Sequence, residues 1–330
     1  MTTPLLSVKD LVIEFPTRYG PLTAVDSINF DLAPGEILGV VGESGAGKSL
    51  TGSAIMGLLD PPGRIASGEI WLKGERIDNL PNDTLRAIRG KRIGMMFQDP
   101  LTSLNPLYTI AEQLIETIRT HLRVSESDAR KRAIGLLDDV GIPAASRRID
   151  DYPHQFSGGM RQRVVIALAL AAEPELVIAD EPTTALDVSV QAQIIDVLKE
   201  QCSERGASII LITHDMGVIA ETANRVAVMY SGRIAEIGPV KDIIQNAMHP
   251  YTTGLMGSIP TLAQEEDRLV QIPGSMPRLS DIPAGCAFNP RCDRAFDKCR
   301  VDRPDLINIG TREVACWLYD ETIIAKGKSK

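Results

Sequence analysis

The sequence predicts an α/β chain: a parallel sheet with helices on both faces, an N-terminal antiparallel β region, a helical segment and a small C-terminal cysteine-containing module. Three observations predict it. Continuous apolar runs at Glu36–Val41, Leu176–Ala179 and Ser208–Thr213 suit buried parallel strands. Helical patterns at 189–204 and 215–223 flank the last of these runs, as strand–helix alternation requires. Near residue 259 the composition shifts to Pro, Arg, Asp and Cys with little periodicity.

In chain order, apolar–polar alternation over Leu6–Phe15 and Ala24–Leu32, followed by Pro34-Gly35, predicts the antiparallel region. Glu36–Val41 runs into a glycine-rich turn and a helix starting near Lys48. Residues from about 99 to 160 carry helical periodicity, at Ile110–Arg119 and Ser125–Val140, and no strand pattern, so a helical insertion is expected there. The chain then divides into 1–258 and an extension, 259–330, that closes on Lys-Gly-Lys-Ser-Lys. Its 35 basic and 43 acidic side chains leave a net charge of −8, which argues against a dedicated nucleic-acid binder. At 44% hydrophobic and 24% charged, the composition is globular rather than disordered or collagenous. The longest apolar run, Val164–Ala172, falls short of the roughly 18 residues of a membrane-spanning helix. Met1-Thr2-Thr3-Pro4 opens no signal-peptide pattern, so a cytosolic-side protein is expected.

Gly42-Glu43-Ser44-Gly45-Ala46-Gly47-Lys48-Ser49 fits G-x-x-x-x-G-K-[ST] between a buried strand and a helix. Glycines let backbone N–H groups wrap phosphates, and the helix N-terminus adds positive potential. Lys48 supplies a point charge and the Ser49 hydroxyl a ligand for Mg²⁺. A plain glycine-rich turn is the alternative, which the full string in this context sets aside. Leu176–Ala179 leads into Asp180-Glu181, where Asp180 can hold Mg²⁺ through water and Glu181 can polarise an attacking water.

With these residues in place, the sequence resembles the ATP-binding cassette (ABC) ATPases. Phe156-Ser157-Gly158-Gly159-Met160-Arg161-Gln162 resembles their signature motif, and Gln98 in Met96-Phe97-Gln98-Asp99-Pro100 their Q-loop. Ala185-Leu186-Asp187 resembles the D-loop, and His214 in Leu211-Ile212-Thr213-His214-Asp215 the switch histidine. The motifs keep the family order over residues 1 to about 245. The signature departs at Phe156 and Met160, where Leu and Gln are usual, while Ser157, Gly158 and Gly159 are intact. The resemblance implies a P-loop NTPase fold with a RecA-like core, and ATP and Mg²⁺ as ligands. It implies that residues Gly42 to Ser49 with Leu50 hold the nucleotide, and that Ser49, Gln98 and Asp180 face Mg²⁺. Glu181, His214 and Gln98 become the catalytic set. Two cassettes would pack head-to-tail, so that Ser157, Gly158, Gly159 and Asp187 of one close on the ATP of the other. Adenine would rest on an aromatic face in the N-terminal β region; Phe15 and Tyr19 are the candidates, Phe15 closer to the family position.

Finer strings narrow the resemblance. Met95–Pro106, Tyr152–Gln162 and His249-Pro250-Tyr251-Thr252 are similar to the ATPases of the oligopeptide and dipeptide (also nickel) permease subfamily. That implies a peripheral subunit on the cytoplasmic face of a bacterial inner membrane. Its partners would be two membrane permease subunits, a second cassette (a paralogue or a copy) and an external solute-binding protein. Peptides are the expected cargo, with nickel or another small solute as the alternative. Cassettes that act on nucleic acid separate phosphate loop and signature by long coiled coils or zinc modules. Here Ser49 and Ser157 stand only 108 positions apart, so a nucleic-acid partner is not expected.

Cys286, Cys292, Cys299 and Cys316 crowd the extension, while Cys202 stands alone in a helical pattern and suits packing. Four thiolates can ligate a [4Fe–4S] cluster or Zn²⁺, and the spacing alone leaves metal and free thiols open. The absence of a C-x₂-C pair weakens zinc. The subfamily resemblance implies [4Fe–4S], as a staple for a core-poor segment rather than a redox centre.

Overall fold

The computed structural model describes residues 3–184, 186–257 and 272–320. Ala185 of the D-loop string, the boundary expected at 258/259 and the lysine-rich end lie outside the described residues. The chain forms two compact units, each assembled from three stretches of sequence: Met1–Leu5, Leu32–Ile37 and Lys73–Ile212 in one, Leu6–Asp31, Leu38–Leu72 and Thr213–Lys330 in the other.

In the first unit, Leu176–Asp180 pairs in parallel with Ser208–Thr213, Leu176 opposite Ser208 and Asp180 opposite Ile212. Both strands are buried at every residue, which is why each reads as an unbroken apolar run. Ile93–Met96 lies parallel on the other side of Leu176–Asp180. Four residues are too few to register as a pattern, so sequence reading passes over this strand. Gly94 is required there, because a Cβ would stand 2.4 Å from the Ala169 carbonyl oxygen of the helix Gly158–Leu170. The helical insertion forms as expected. Ile110–His121 starts from a reciprocal capping box in which Glu112 N–H donates to Thr109 Oγ1 and Thr109 N–H to the Glu112 carboxylate. It buries Ile110, Leu114 and Ile118, one stripe at helical spacing. Glu126–Asp139 starts from Ser125, whose hydroxyl accepts the Asp128 N–H.

In the second unit, Leu6–Thr17 pairs antiparallel with Arg64–Leu72, which places Leu6 opposite Leu72 and Val8 opposite Ile70. Gly20–Leu32 belongs to the same antiparallel sheet, as the alternation predicts. Ile37–Val41 pairs in parallel with Arg225–Tyr230, which turns through Ser231 (φ 45°) and Gly232 (φ 78°) into antiparallel Arg233–Pro239. Two successive residues at positive φ match the twist of a tight hairpin. Arg233–Pro239 pairs onward with Arg312–Val314, and that strand with Ile307–Ile309. The expected parallel strands are therefore present in each unit; what the sequence reading lacked is their antiparallel continuation through Arg233–Pro239, and the extension, read as lacking regular periodicity, supplies two of those antiparallel strands. Three-residue strands carry no pattern to read. No described helix is long and apolar enough to cross a membrane.

Candidate functional site

The phosphate loop belongs to the second unit and is held from behind by the Arg225–Pro239 hairpin. A Cβ on Gly42 would stand 2.2 Å from the Met229 carbonyl oxygen, so only glycine lets the two backbones approach. Gly47, at φ 99°, caps the helix Lys48–Ile55 with no side-chain hydrogen bond. Gly232 N–H donates to Ala46 O at 3.0 Å and Ala46 N–H to Glu43 O at 3.1 Å. Lys48 is 5% exposed, and its ammonium donates to Gly42 O (2.8 Å) and Glu43 O (3.2 Å). Ser44, Gly45 and Ser49 are exposed around it, and Leu50 is half-buried. A concave backbone over a buried ammonium at a helix N-terminus suits a phosphate group in shape and in sign.

The first unit holds the acids. Asp180, 7% exposed, ends its strand. Glu181 follows at φ 46°, a conformation uncommon for a non-glycine residue, with its N–H donating to Ile212 O. Its carboxylate accepts Gln98 Nε2 at 3.1 Å and Thr184 Oγ1 at 3.0 Å. Gln98 and Glu181, singled out 83 positions apart, are thus brought into contact. Thr184 was missed by sequence reasoning; the signal available was its place just after the acids.

Ser157 starts the helix Gly158–Leu170, its Oγ accepting Met160 N–H at 3.4 Å, and Ser157 and Gly158 are exposed. Both residues at which the signature departs from the usual string meet one side chain. Phe156 is 2% exposed, and the Arg148 guanidinium lies 5.2 Å over its ring while donating to Met160 Sδ at 3.2 Å. A Cβ on Gly159 would stand 2.9 Å from Val190 Cγ1, so that glycine lets Val188–Glu204 approach. Asp187 precedes that helix and makes no side-chain cap; Gln191 Nε2 steadies the turn by donating to Thr183 O and Leu186 O.

The two aromatic candidates differ. Phe15 is half-buried, its ring edge 2.9 Å from where a Cβ on Gly63 would stand. Tyr19 is 90% exposed, with the Arg18 guanidinium 5.4 Å from its ring centre. His214 is exposed at the end of Ser208–Thr213.

Cys286, Cys292, Cys299 and Cys316 line one small cavity with Phe288 and Trp317. Burial pushes the Cys286 and Cys316 thiols up to about 11 and raises Cys292 as well. Four thiols facing one cavity fit a metal cluster in kind. Among the described residues, however, no group of three or more His, Cys, Asp or Glu is gathered closely enough to hold a metal ion. Cys202, buried and pushed up to about 12, packs as expected.

Comparison with known proteins agrees with this geometry. Residues 25–184 match the family described as ABC transporter, and residues 235–299 match the one described as oligopeptide/dipeptide transporter, C-terminal region. The chain is 48% identical to the dipeptide transport ATP-binding protein DppD of Bacillus subtilis, over 96% of this chain and 95% of that one. It is 47% identical to DppD of Haemophilus influenzae, over 94% of each. Among solved structures it is similar to the dimeric, ADP- and phosphate-bound ATP-binding cassette MJ0796, with TM-score 0.64 and 29% identity over 71% of this chain and 98% of that one. It is also similar to cbiO1 of Clostridium perfringens, part of the ABC transporter complex cbiONQ, with TM-score 0.63 and 29% identity over 74% of this chain and 92% of that one.

Proposed function

This chain belongs to the ATP-hydrolysing cassettes of ABC transporters, in the group carrying the oligopeptide/dipeptide C-terminal region, and from that premise we propose that it powers the uptake of small peptides. The observation that carries the reading is the phosphate loop, with Gly42 pressed against the Met229 carbonyl, Gly45 and Gly47 at positive φ, and a buried Lys48 beneath it. On this reading the loop amides of Glu43 to Ser49 lie along the phosphates, with Gly42 at the entry and Leu50 behind. Lys48 exchanges its two carbonyl acceptors for phosphate oxygens. Ser49 and Asp180 would hold Mg²⁺, with Gln98 beside it, and the ion would offset phosphate charge. Glu181, oriented by Gln98 and Thr184, positions the attacking water, and His214 bonds the γ-phosphate. Tyr19 rather than Phe15 takes adenine, because its ring is the more exposed of the two.

Ser157, Gly158 and Gly159 present a helix start to the nucleotide of a second cassette, with Asp187 at the same junction. Two permease subunits and an external binding protein complete the importer, which puts the chain on the cytoplasmic face of the membrane. The names of its relatives support that assignment. The cassette runs over 1–258, with the helical subdomain at 99–160, and the extension over 259–330. For the cysteine cavity the reading is a structural [4Fe–4S] cluster held by Cys286, Cys292, Cys299 and Cys316, with zinc as the alternative. Convergence of all four thiols on one cavity supports it.

Uptake of a labelled dipeptide by cells carrying the whole importer tests the function. Lys48→Ala is expected to abolish uptake with the permeases and binding protein still present. Intact dipeptide uptake together with lost nickel uptake would move the cargo to the metal.

A further inference from the structure

The extension reaches the phosphate loop through one side chain. Arg291 lies between Cys286 and Cys292, and its side chain is 7% exposed. Its Nη1 donates to both carboxylate oxygens of Glu43, at 2.9 and 3.0 Å, and to Tyr230 Oη at 3.3 Å. Its Nε donates to Pro273 O at 2.8 Å and its Nη2 to Gly274 O at 3.4 Å. The guanidinium also lies 5.8 Å from the ring centres of Tyr230 and Phe288. All three nitrogens of this planar fork donate, Nη2 also to Ile272 O at 3.5 Å, to partners on the extension or around the loop.

Glu43 is the second residue of the phosphate loop, and it is fixed from three sides. Arg291 holds its carboxylate, and its N–H donates to the Oη of Tyr251, a fully buried tyrosine packed on Tyr230 and Phe288. Its carbonyl accepts Lys48 Nζ. Met276, also on the extension, brings its terminal carbon to 3.0 Å from where a Cβ on Gly45 would stand. Two residues of the extension therefore meet two residues of the loop.

We infer that Arg291 is a positioning residue for nucleotide binding, and that the C-terminal extension clamps the phosphate loop in its receptive shape through the Arg291–Glu43 pair. The inference rests on the reading that this loop holds the phosphates of ATP. Affinity for nucleotide then depends on the extension, while the chemical step, built on Gln98, Glu181 and Thr184, does not.

The test compares the full chain with Arg291→Ala, Arg291→Lys, Glu43→Ala and the Arg291→Ala/Glu43→Ala double variant, by binding of a fluorescent ATP analogue and by steady-state ATPase. Arg291→Ala is expected to weaken binding and raise KM for ATP about tenfold, with kcat changed less than about twofold. Arg291→Lys keeps the charge without the fork and falls between; it decides the matter if Arg291→Ala does not fold. The double variant is expected to be no weaker than the worse single one, since both remove one link. Wild-type affinity in Arg291→Ala, or a fall in kcat with KM unchanged, would overturn the clamp. Lys48→Ala run alongside separates the two readings: if it too binds the analogue normally, the phosphate reading of the loop has failed.

Discussion

Glu181 combines an uncommon backbone conformation with a carboxylate tied to Gln98 and Thr184, and strain of that kind persists where neighbours over-determine it. Glu181→Gln keeps the shape and removes the charge. Hydrolysis is expected to fall on the order of 10²–10³-fold, the usual worth of a positioned base, with ATP affinity retained. A rate within a few-fold of the parent protein would remove Glu181 from the chemistry. The aromatic pair gives a second residue-scale outcome. Tyr19→Ala should raise KM for ATP and leave the unfolding midpoint alone. Phe15→Ala should cost on the order of 1–3 kcal/mol of stability, because its ring packs on Gly63. The reverse pattern would return adenine to Phe15. Lys48, Asp180 and Glu181 were legible in the sequence because phosphate chemistry restricts which residues follow a buried strand, and Gln98 through the resemblance of its string to the family's Q-loop. Arg148 was not. Its hold on Phe156 and Met160 is a tertiary contact with no local pattern. Arg291 was equally silent, since nothing in a Pro-Arg-Cys string points to a carboxylate 248 positions away.

At the scale of elements, strands with an unbroken apolar run or a clean alternation were legible, and short or irregular ones were not. Leu176–Asp180 and Ser208–Thr213 carry no exposed residue, whereas Arg64–Leu72 mixes buried, half-buried and exposed positions and breaks its own alternation. The Arg225–Pro239 hairpin was also missed, although Ser231-Gly232 between two apolar runs is a turn signal. It is the element on which the phosphate loop leans. Gly232 sits at φ 78°, and a Cβ there would stand 2.4 Å from Ala24 O. Gly232→Ala is expected to cost on the order of 1–3 kcal/mol through backbone strain and to weaken ATP binding along with stability. A denaturant midpoint matching the parent protein would show that the hairpin is not under that constraint.

Across the whole molecule, sequence reading located the motifs but not the way two units share the chain, because contiguous stretches such as 6–31 and 213–330 join one unit while 73–212 builds the other. Periodicity reports which face of a segment is buried and carries nothing about which distant segment buries it. Acid stability gives a prediction at this scale. Burial pushes the His249 imidazole down to about 4, and its Nδ1 accepts the Tyr251 N–H. As pH falls through 6.5 the unfolded chain takes up a proton there and the folded chain does not. Stability is therefore lost between pH 6.5 and 4, by about 3 kcal/mol at most. The buried Glu236 carboxyl, raised by desolvation, works in the opposite sense. His249→Asn keeps an acceptor near Nδ1 and should flatten that loss; an unchanged pH profile of the unfolding midpoint would assign the acid sensitivity elsewhere. The central claim, an ATP-driven cassette built on the 42–49 loop and Glu181, is tested most directly by steady-state ATPase of the purified full chain beside Lys48→Ala and Glu181→Gln. The expected result is Mg²⁺-dependent hydrolysis by the parent protein, loss of nucleotide binding in Lys48→Ala, and bound but scarcely hydrolysed ATP in Glu181→Gln. Hydrolysis undiminished in both variants would contradict it.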